Sequence, residues 1–218
     1  MKSPHAAFTL IELLVVISII ALLVALGIPA LSKAIQAGEA AKCVSNLHQI
    51  GGGLLSFTGD HDGNFPIAGA DIAHGSRDGT TGEPGWTEQL EPYLGTDLKI
   101  YRCASCARLH PESKVYSYFM GARAAFEANG GAPAALKLSR IDKPSRYILG
   151  GDITIASPFT VTDADKDDYS QDPAFGGEVK DMHRGMVNLL FADGSVRPYK
   201  EFTRGEMEVS YTDPNATY

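Results

Sequence analysis

Four sets of residues in this 218-residue chain have the types and spacing to do chemistry. Glu12 lies inside a run of apolar residues from Phe8 to Leu31, where an ionised carboxylate is costly unless it has a partner. Asp163, Asp165 and Asp167 alternate in VTDADKDDYSQDPAFGG, the spacing by which every second side chain can turn an oxygen toward a hard cation such as calcium. Position six of that loop is Asp168, where an EF-hand needs Gly, and position twelve is Ala174, where it needs Glu. Two readings stay open there: a looser calcium site completed by backbone carbonyls and Asp172, or a solvated acidic loop. Cys103 and Cys106 form a C-x-x-C pair with His110 beyond it and Cys43 far upstream, and three states are open to them. They are thiols outside any bridge, a Cys103–Cys106 disulfide, or part of a zinc site that lacks a fourth ligand at a diagnostic spacing. His183 and Asp193, finally, flank an apolar segment. An extended strand between them would put their Cα atoms about 25 to 33 Å apart, so they are not an acid/base pair. Asp193 is then a turn residue, and His183 a capping or hydrogen-bonding residue near Arg204 at the far end of a hairpin.

The elements that position these residues follow from periodicity. Phe8 to Leu31 is about the length that crosses a bilayer as a helix. A secretory signal would be shorter, a plain anchor would leave Glu12 unexplained, and a soluble core helix is rarely apolar all round. The nearest group able to neutralise Glu12 is an α-amino group at Phe8, which exists only if the chain is cut between Ala7 and Phe8. Beyond Ser32 the apolar residues Ile35, Val44, Leu47, Ile50, Leu54 and Phe57 recur mostly at gaps of three and four, continuing the helix as an amphipathic one. Phe8 to Phe57 would span roughly 75 Å. Pro29 interrupts its first half. Gly51, Gly52 and Gly53 either end it near Ile50 or let a sheet approach closely.

After the helix, Thr58 to Pro66 is a turn cluster whose Asp60, Asp62 and Asn64 are better read as a helix stop than as a calcium loop. Residues 67–85 read as a long surface loop. Trp86, Leu90, Tyr93 and Leu94 fall at helical spacing before Gly95, with Trp86 as a core plug. A short helix is expected over Arg123 to Ala128. Val115 to Met120 and Arg146 to Leu149 read as strands, the second ending at Gly150-Gly151-Asp152. Asp193-Gly194 between apolar runs predicts a hairpin of Val187 to Ala192 and Ser195 to Tyr199 about a type I′ turn. The expected fold class is α+β, a long amino-terminal helix packed on an antiparallel sheet. Its divisions are a leader over 1–7, a membrane half-helix over 8–31, an amphipathic half-helix over 32–57, and a β-rich globular part over 58–218 that contains the 183–199 hairpin.

Phe8-Thr9-Leu10-Ile11-Glu12 followed by an apolar run resembles the amino terminus of type IV prepilins and type II secretion pseudopilins. The segment from His183 through Asp193-Gly194 resembles the H-X9-DG carboxy-terminal motif of a large class of prepilin-like proteins, and Cys43-Val-Ser-Asn-Leu and Leu94-Gly95 resemble earlier segments of the same class. The resemblance implies cleavage by a prepilin peptidase just before Phe8, N-methylation of the new terminus, and pairing of Glu12 with the amino terminus of a neighbouring subunit. Ala7 stands where the family usually has Gly, and is also small enough to approach a protease. The implied partners are the peptidase, copies of this chain or other pilin-like subunits, and the inner membrane, with the globular part outside the cytoplasm. The function implied is a structural subunit of a pilus or secretion pseudopilus.

A formal charge of −7 and a pI near 5.3 argue against a protein that lives on nucleic acid, since phosphate binding needs clustered Lys and Arg, and give a DNA-uptake role no support. No nucleotide-binding, catalytic-triad or metalloprotease motif is present, so the chain is not expected to be an enzyme. An anchored enzyme would have to build its site from Asp163, Asp165, Asp167 and His183. The other alternative is a membrane-tethered extracytoplasmic binding module, calcium-dependent if the acidic loop holds the ion.

Overall fold

A computed structural model describes residues 9–68, 84–109, 117–122, 125, 128–130, 134–153, 183, 185–201, 203 and 205–208. The chain divides into two compact units, Met1–Gly38 and Glu39–Tyr218. Helix α1, Leu10–Asp60, supplies residues to both.

In the first unit α1 runs through Pro29 and exposes its large apolar side chains, from Leu10 and Ile11 to Leu31 and Ile35. Helix formation needs no tertiary contact there, because the run is rich in Leu, Ile and Ala and begins with a cap at Thr9. An apolar surface this continuous is stable only when lipid or protein covers it.

In the second unit α1 buries Cys43, Leu47, Ile50, Leu54 and Phe57, which alternate at gaps of four and three and so share one face. Cys43 lies on that face, whereas the expected Val44 is only partly buried. The helix does not end at the glycine triplet. Gly51 lies so close to the sheet that a Cβ there would stand 2.7 Å from Leu190 Cδ1. The second of the two expectations for the glycines is therefore the correct one. The helix stops where Asp62 and Gly63 turn left-handed, at φ 53° and 79°.

Strand β1, Asn64–Ala68, pairs antiparallel with β3, Ala134–Lys137, and neither was expected from the sequence. Pro66 in β1 has no N–H for the ladder, and the register shifts between Asn64 and Ile67. Gln89 compensates by pairing with Ile67 as a strand would, accepting from its N–H at 3.0 Å and donating to its carbonyl at 2.8 Å. The helix expected over Trp86 to Leu94 is two short ones, α2 Trp86–Gln89 and α3 Glu91–Leu94. Pro92 forces the break, since its ring cannot follow a helical turn that carries the carbonyl of Glu88. Helix α4 is Ala104–Leu109. The expected helix over 123–128 falls mostly outside the described residues.

The main sheet is antiparallel, in the order β2 Tyr118–Met120, β4 Ile148–Asp152, β5 Val187–Phe191, β6 Val196–Tyr199. Side chains alternate across it. Tyr118, Met120 and Leu190 join the core beneath α1, while Phe119, Val187, Leu189 and Phe191 join a second apolar cluster with Ile148, Ile153 and Met207. The architecture is the expected α+β one, with an apolar layer on each sheet face. Two details differ. β4 continues through Gly150 and Gly151, because a Cβ on Gly150 would lie 2.7 Å from the Phe119 carbonyl oxygen, so Asp152 is carried into the buried part of the sheet. The β5–β6 hairpin is a three-residue loop. Gly194 N–H bonds Phe191 O at 2.8 Å, and of Asp193 and Gly194 only Gly194 has positive φ, which excludes type I′.

Candidate functional site

The exposed amino-terminal helix begins with a reciprocal cap. Thr9 N–H and Thr9 Oγ1 donate to Glu12 Oε2 at 2.9 and 2.7 Å, and Glu12 N–H donates to Thr9 Oγ1 at 3.3 Å. This is the Thr-x-x-Glu capping box, and the positive end of the helix dipole adds to its hold on the carboxylate. Glu12 thus finds a partner within its own chain. Among the described residues its second oxygen, Oε1, accepts no hydrogen bond. Ala7 and Phe8, expected to flank the cut, lie outside the described residues.

A second cluster is buried in the globular unit. Cys43, on α1, is bonded to Cys103, with Cα atoms 5.1 Å apart, inside the range a disulfide requires. Of the three states left open by spacing, the Cys103–Cys106 bridge is therefore not the one formed. Tertiary packing decides the pairing, since Cys103 precedes α4 and meets the buried face of α1, while Cys106 is a buried thiol within α4. His183 sits beside the bond, its Nε2 3.4 Å from Cys103 Sγ and 3.1 Å from Asp152 Oδ2, its Nδ1 3.3 Å from Ser105 Oγ. Ser105 Oγ donates to Glu39 Oε2 at 3.2 Å, and Arg108 pairs with the same carboxylate at 3.1 Å. Asn188 donates to Asp152 Oδ2 twice, from its backbone N–H at 2.7 Å and from Nδ2 at 2.9 Å. Burial, and then the nearby Asp152 charge, push the Tyr118 hydroxyl well above the usual tyrosine range, so it stays protonated next to Asn46 and the Cys43 carbonyl.

Residues 2–28 match the family described as the prokaryotic N-terminal methylation motif. The match supports a type IV pilin-like precursor and a membrane-anchoring role for the apolar helix, which is long and apolar enough to cross a bilayer. No curated protein and no solved structure matches the chain.

Downstream of this methylation segment the expected residues scatter. Asp163, Asp165 and Asp167 lie outside the described residues, as does His110. His183 and Asp193 take different partners, His183 those above and Asp193 the Ser195 N–H at 2.9 Å. His183 is indeed a hydrogen-bonding residue, but Arg204, its expected neighbour, is not among the described residues. Sequence reasoning missed Asp152, Ser105 and Asn188 as its surroundings, and Cys43 as the partner of Cys103. The available signal was the position of Cys43 in phase with Leu47, Ile50, Leu54 and Phe57.

Proposed function

We propose that the chain is a structural subunit, a pilin or pseudopilin, of a type IV pilus or type II secretion-like filament. A prepilin peptidase cuts it before Phe8, and it assembles through its amino-terminal helix with copies of itself or other pilin-like subunits. Its role is architectural rather than catalytic, with the globular unit carried outside the cytoplasm. One observation carries this reading: the methylation motif over residues 2–28 coincides with a helix that exposes its apolar side chains and holds a carboxylate at Glu12. Thr9 and Glu12 both lie after the proposed cut, so the cap survives it, and Oε1 remains to accept from the new α-amino group of a neighbouring subunit.

Intact mass and amino-terminal sequencing of the membrane-extracted protein test the first step. The expected product begins at N-methylated Phe8 and lacks MKSPHAA. Glu12→Ala should still be cut but should disappear from sheared filaments. An uncut Met1 in a host with active prepilin peptidase would refute the processing step and leave a tethered binding module as the better account.

A further inference from the structure

We propose that Cys43, Cys103, His183 and Asp152 form a site for a zinc-like, thiophilic divalent cation that is closed while the Cys43–Cys103 disulfide stands and opens when it is reduced. The site is independent of how the chain assembles. The two sulfurs and a ring nitrogen of His183 all lie within 4.8 Å of one another, and all three residues are buried. Around a tetrahedral zinc, with bonds of about 2.3 Å to sulfur and 2.0 to 2.1 Å to nitrogen, ligand atoms stand about 3.3 to 3.8 Å apart. Once the bond is cut, the sulfurs need separate by less than about 2 Å to reach that spacing.

Asp152 is not one of those three mutually close donors but stands against His183, and its carboxylate moves in to take the fourth position when the cation binds. Its Oδ2 faces the same His183 nitrogen that faces Cys103. Its Oδ1 is buried and, among the described residues, has no hydrogen-bond partner. An oxygen left so in a protein interior is expensive unless something electropositive comes to it. The opposite edge of the imidazole is held as ligand histidines usually are: Nδ1 faces Ser105, and Ser105 is fixed by Glu39. Asn188 fixes the carboxylate in the same way. Two thiolates, an imidazole and one carboxylate are a borderline-soft donor set, suited to zinc and not to calcium or magnesium.

The reduction balances with a dithiol as reductant. The Cys43–Cys103 bond takes two electrons and two protons from the dithiol, which closes to its own disulfide, leaving two thiols. The cation then displaces both thiol protons to solvent, and the imidazole carries its remaining proton on Nδ1, toward Ser105.

Cobalt titration of the full-length chain in detergent micelles tests this, after dithiol reduction and desalting under argon. The reduced chain should take up one equivalent, with the visible bands of tetrahedral cobalt and near-ultraviolet thiolate-to-metal absorption, both bleached by zinc. The oxidised chain should show neither. Cys106→Ser should keep the full spectrum, Cys43→Ser should lose it, and Asp152→Asn should bind about tenfold or more weakly while keeping the thiolate bands. A reduced chain that takes up no cobalt overturns the proposal whether or not it stays folded, because a site of this type would hold the unit together in place of the disulfide. Equal spectra from the unaltered chain and Cys43→Ser would overturn it as well.

Discussion

The glycine triplet in α1 offers a prediction in which neighbouring, chemically identical substitutions should have opposite signs. Gly52 is exposed, and a Cβ there would meet nothing within 4 Å. Gly52→Ala should therefore stabilise the globular unit by about 0.5 to 1 kcal/mol, the usual helical advantage of Ala over Gly. Gly51 carries the same backbone gain, but its Cβ would lie 2.7 Å from Leu190 Cδ1 and 3.7 Å from Gly194 Cα. Leu190 is buried beneath the helix, so it has little room to yield, and overpacking of this kind costs about 1 to 3 kcal/mol. Since the helical gain is common to both, the difference between Gly51→Ala and Gly52→Ala isolates the packing cost. It should fall at about 1 to 3 kcal/mol in favour of Gly52→Ala. Gly53→Ala should also lose relative to Gly52→Ala, because all three outer carbons of Leu94 lie 2.7 to 2.9 Å from the new methyl. Urea unfolding of the full-length chain in micelles, with the disulfide intact, measures this directly. Trp86 is the only tryptophan and is 1 % exposed, so its fluorescence reports opening of this same core. Equal stability of Gly51→Ala and Gly52→Ala would refute the close helix-to-sheet approach.

Loss of the disulfide through Cys103→Ser should cost about 4 kcal/mol, the chain entropy of a loop closed across 60 residues, while Cys106→Ser leaves the bond in place. Denaturation with and without reductant, together with non-reducing peptide mapping that finds Cys43 linked to Cys103, checks both statements. Gly194→Ala should destabilise by at least about 1 kcal/mol in the same assay, because Gly194 has φ 83° and a Cβ would stand 3.0 Å from Leu55 Cδ1. The Lys143 amine, 2.9 Å from Glu208, holds the Glu208 carboxyl below its usual range. A depressed carboxyl stabilises the fold above the unfolded value near pH 4.3, and the contribution is lost as pH falls through the folded value. Glu208→Gln should accordingly cost under about 1 kcal/mol at neutral pH, given the exposed partners, and nothing once pH is low enough to protonate the carboxyl.

What the sequence made legible divides along the range of the interactions involved. The long helix, its stop in the turn cluster after Phe57, the hairpin at Asp193-Gly194 and the α+β class all follow from local periodicity and turn residues, although the helix runs on to Asp60 and the hairpin turn is not the type I′ expected. The strands β1 and β3 were not legible, because Pro66 and the small residues of β3 carry no alternation, and a side-chain amide from Gln89 completes the pairing. The cysteines failed for a related reason. Local spacing left Cys103 and Cys106 open as thiols, a bridge or zinc ligands and gave Cys43 no partner, because a disulfide is chosen by which sulfurs the fold brings face to face, and Cys43 is delivered by a helix face 60 residues away. Asp152 was hidden behind two glycines that look like a strand end but are where β4 lies tight against its neighbours, Gly150 against Phe119 of β2 and Gly151 against Asn188 and Leu189 of β5. The same tertiary approach that lets a glycine-rich strand run on through the sheet buries a carboxylate beside His183. The histidine of the His183-to-Gly194 segment therefore acquires its chemistry from α1, α4 and β4, and not from the aspartate ten residues along the chain.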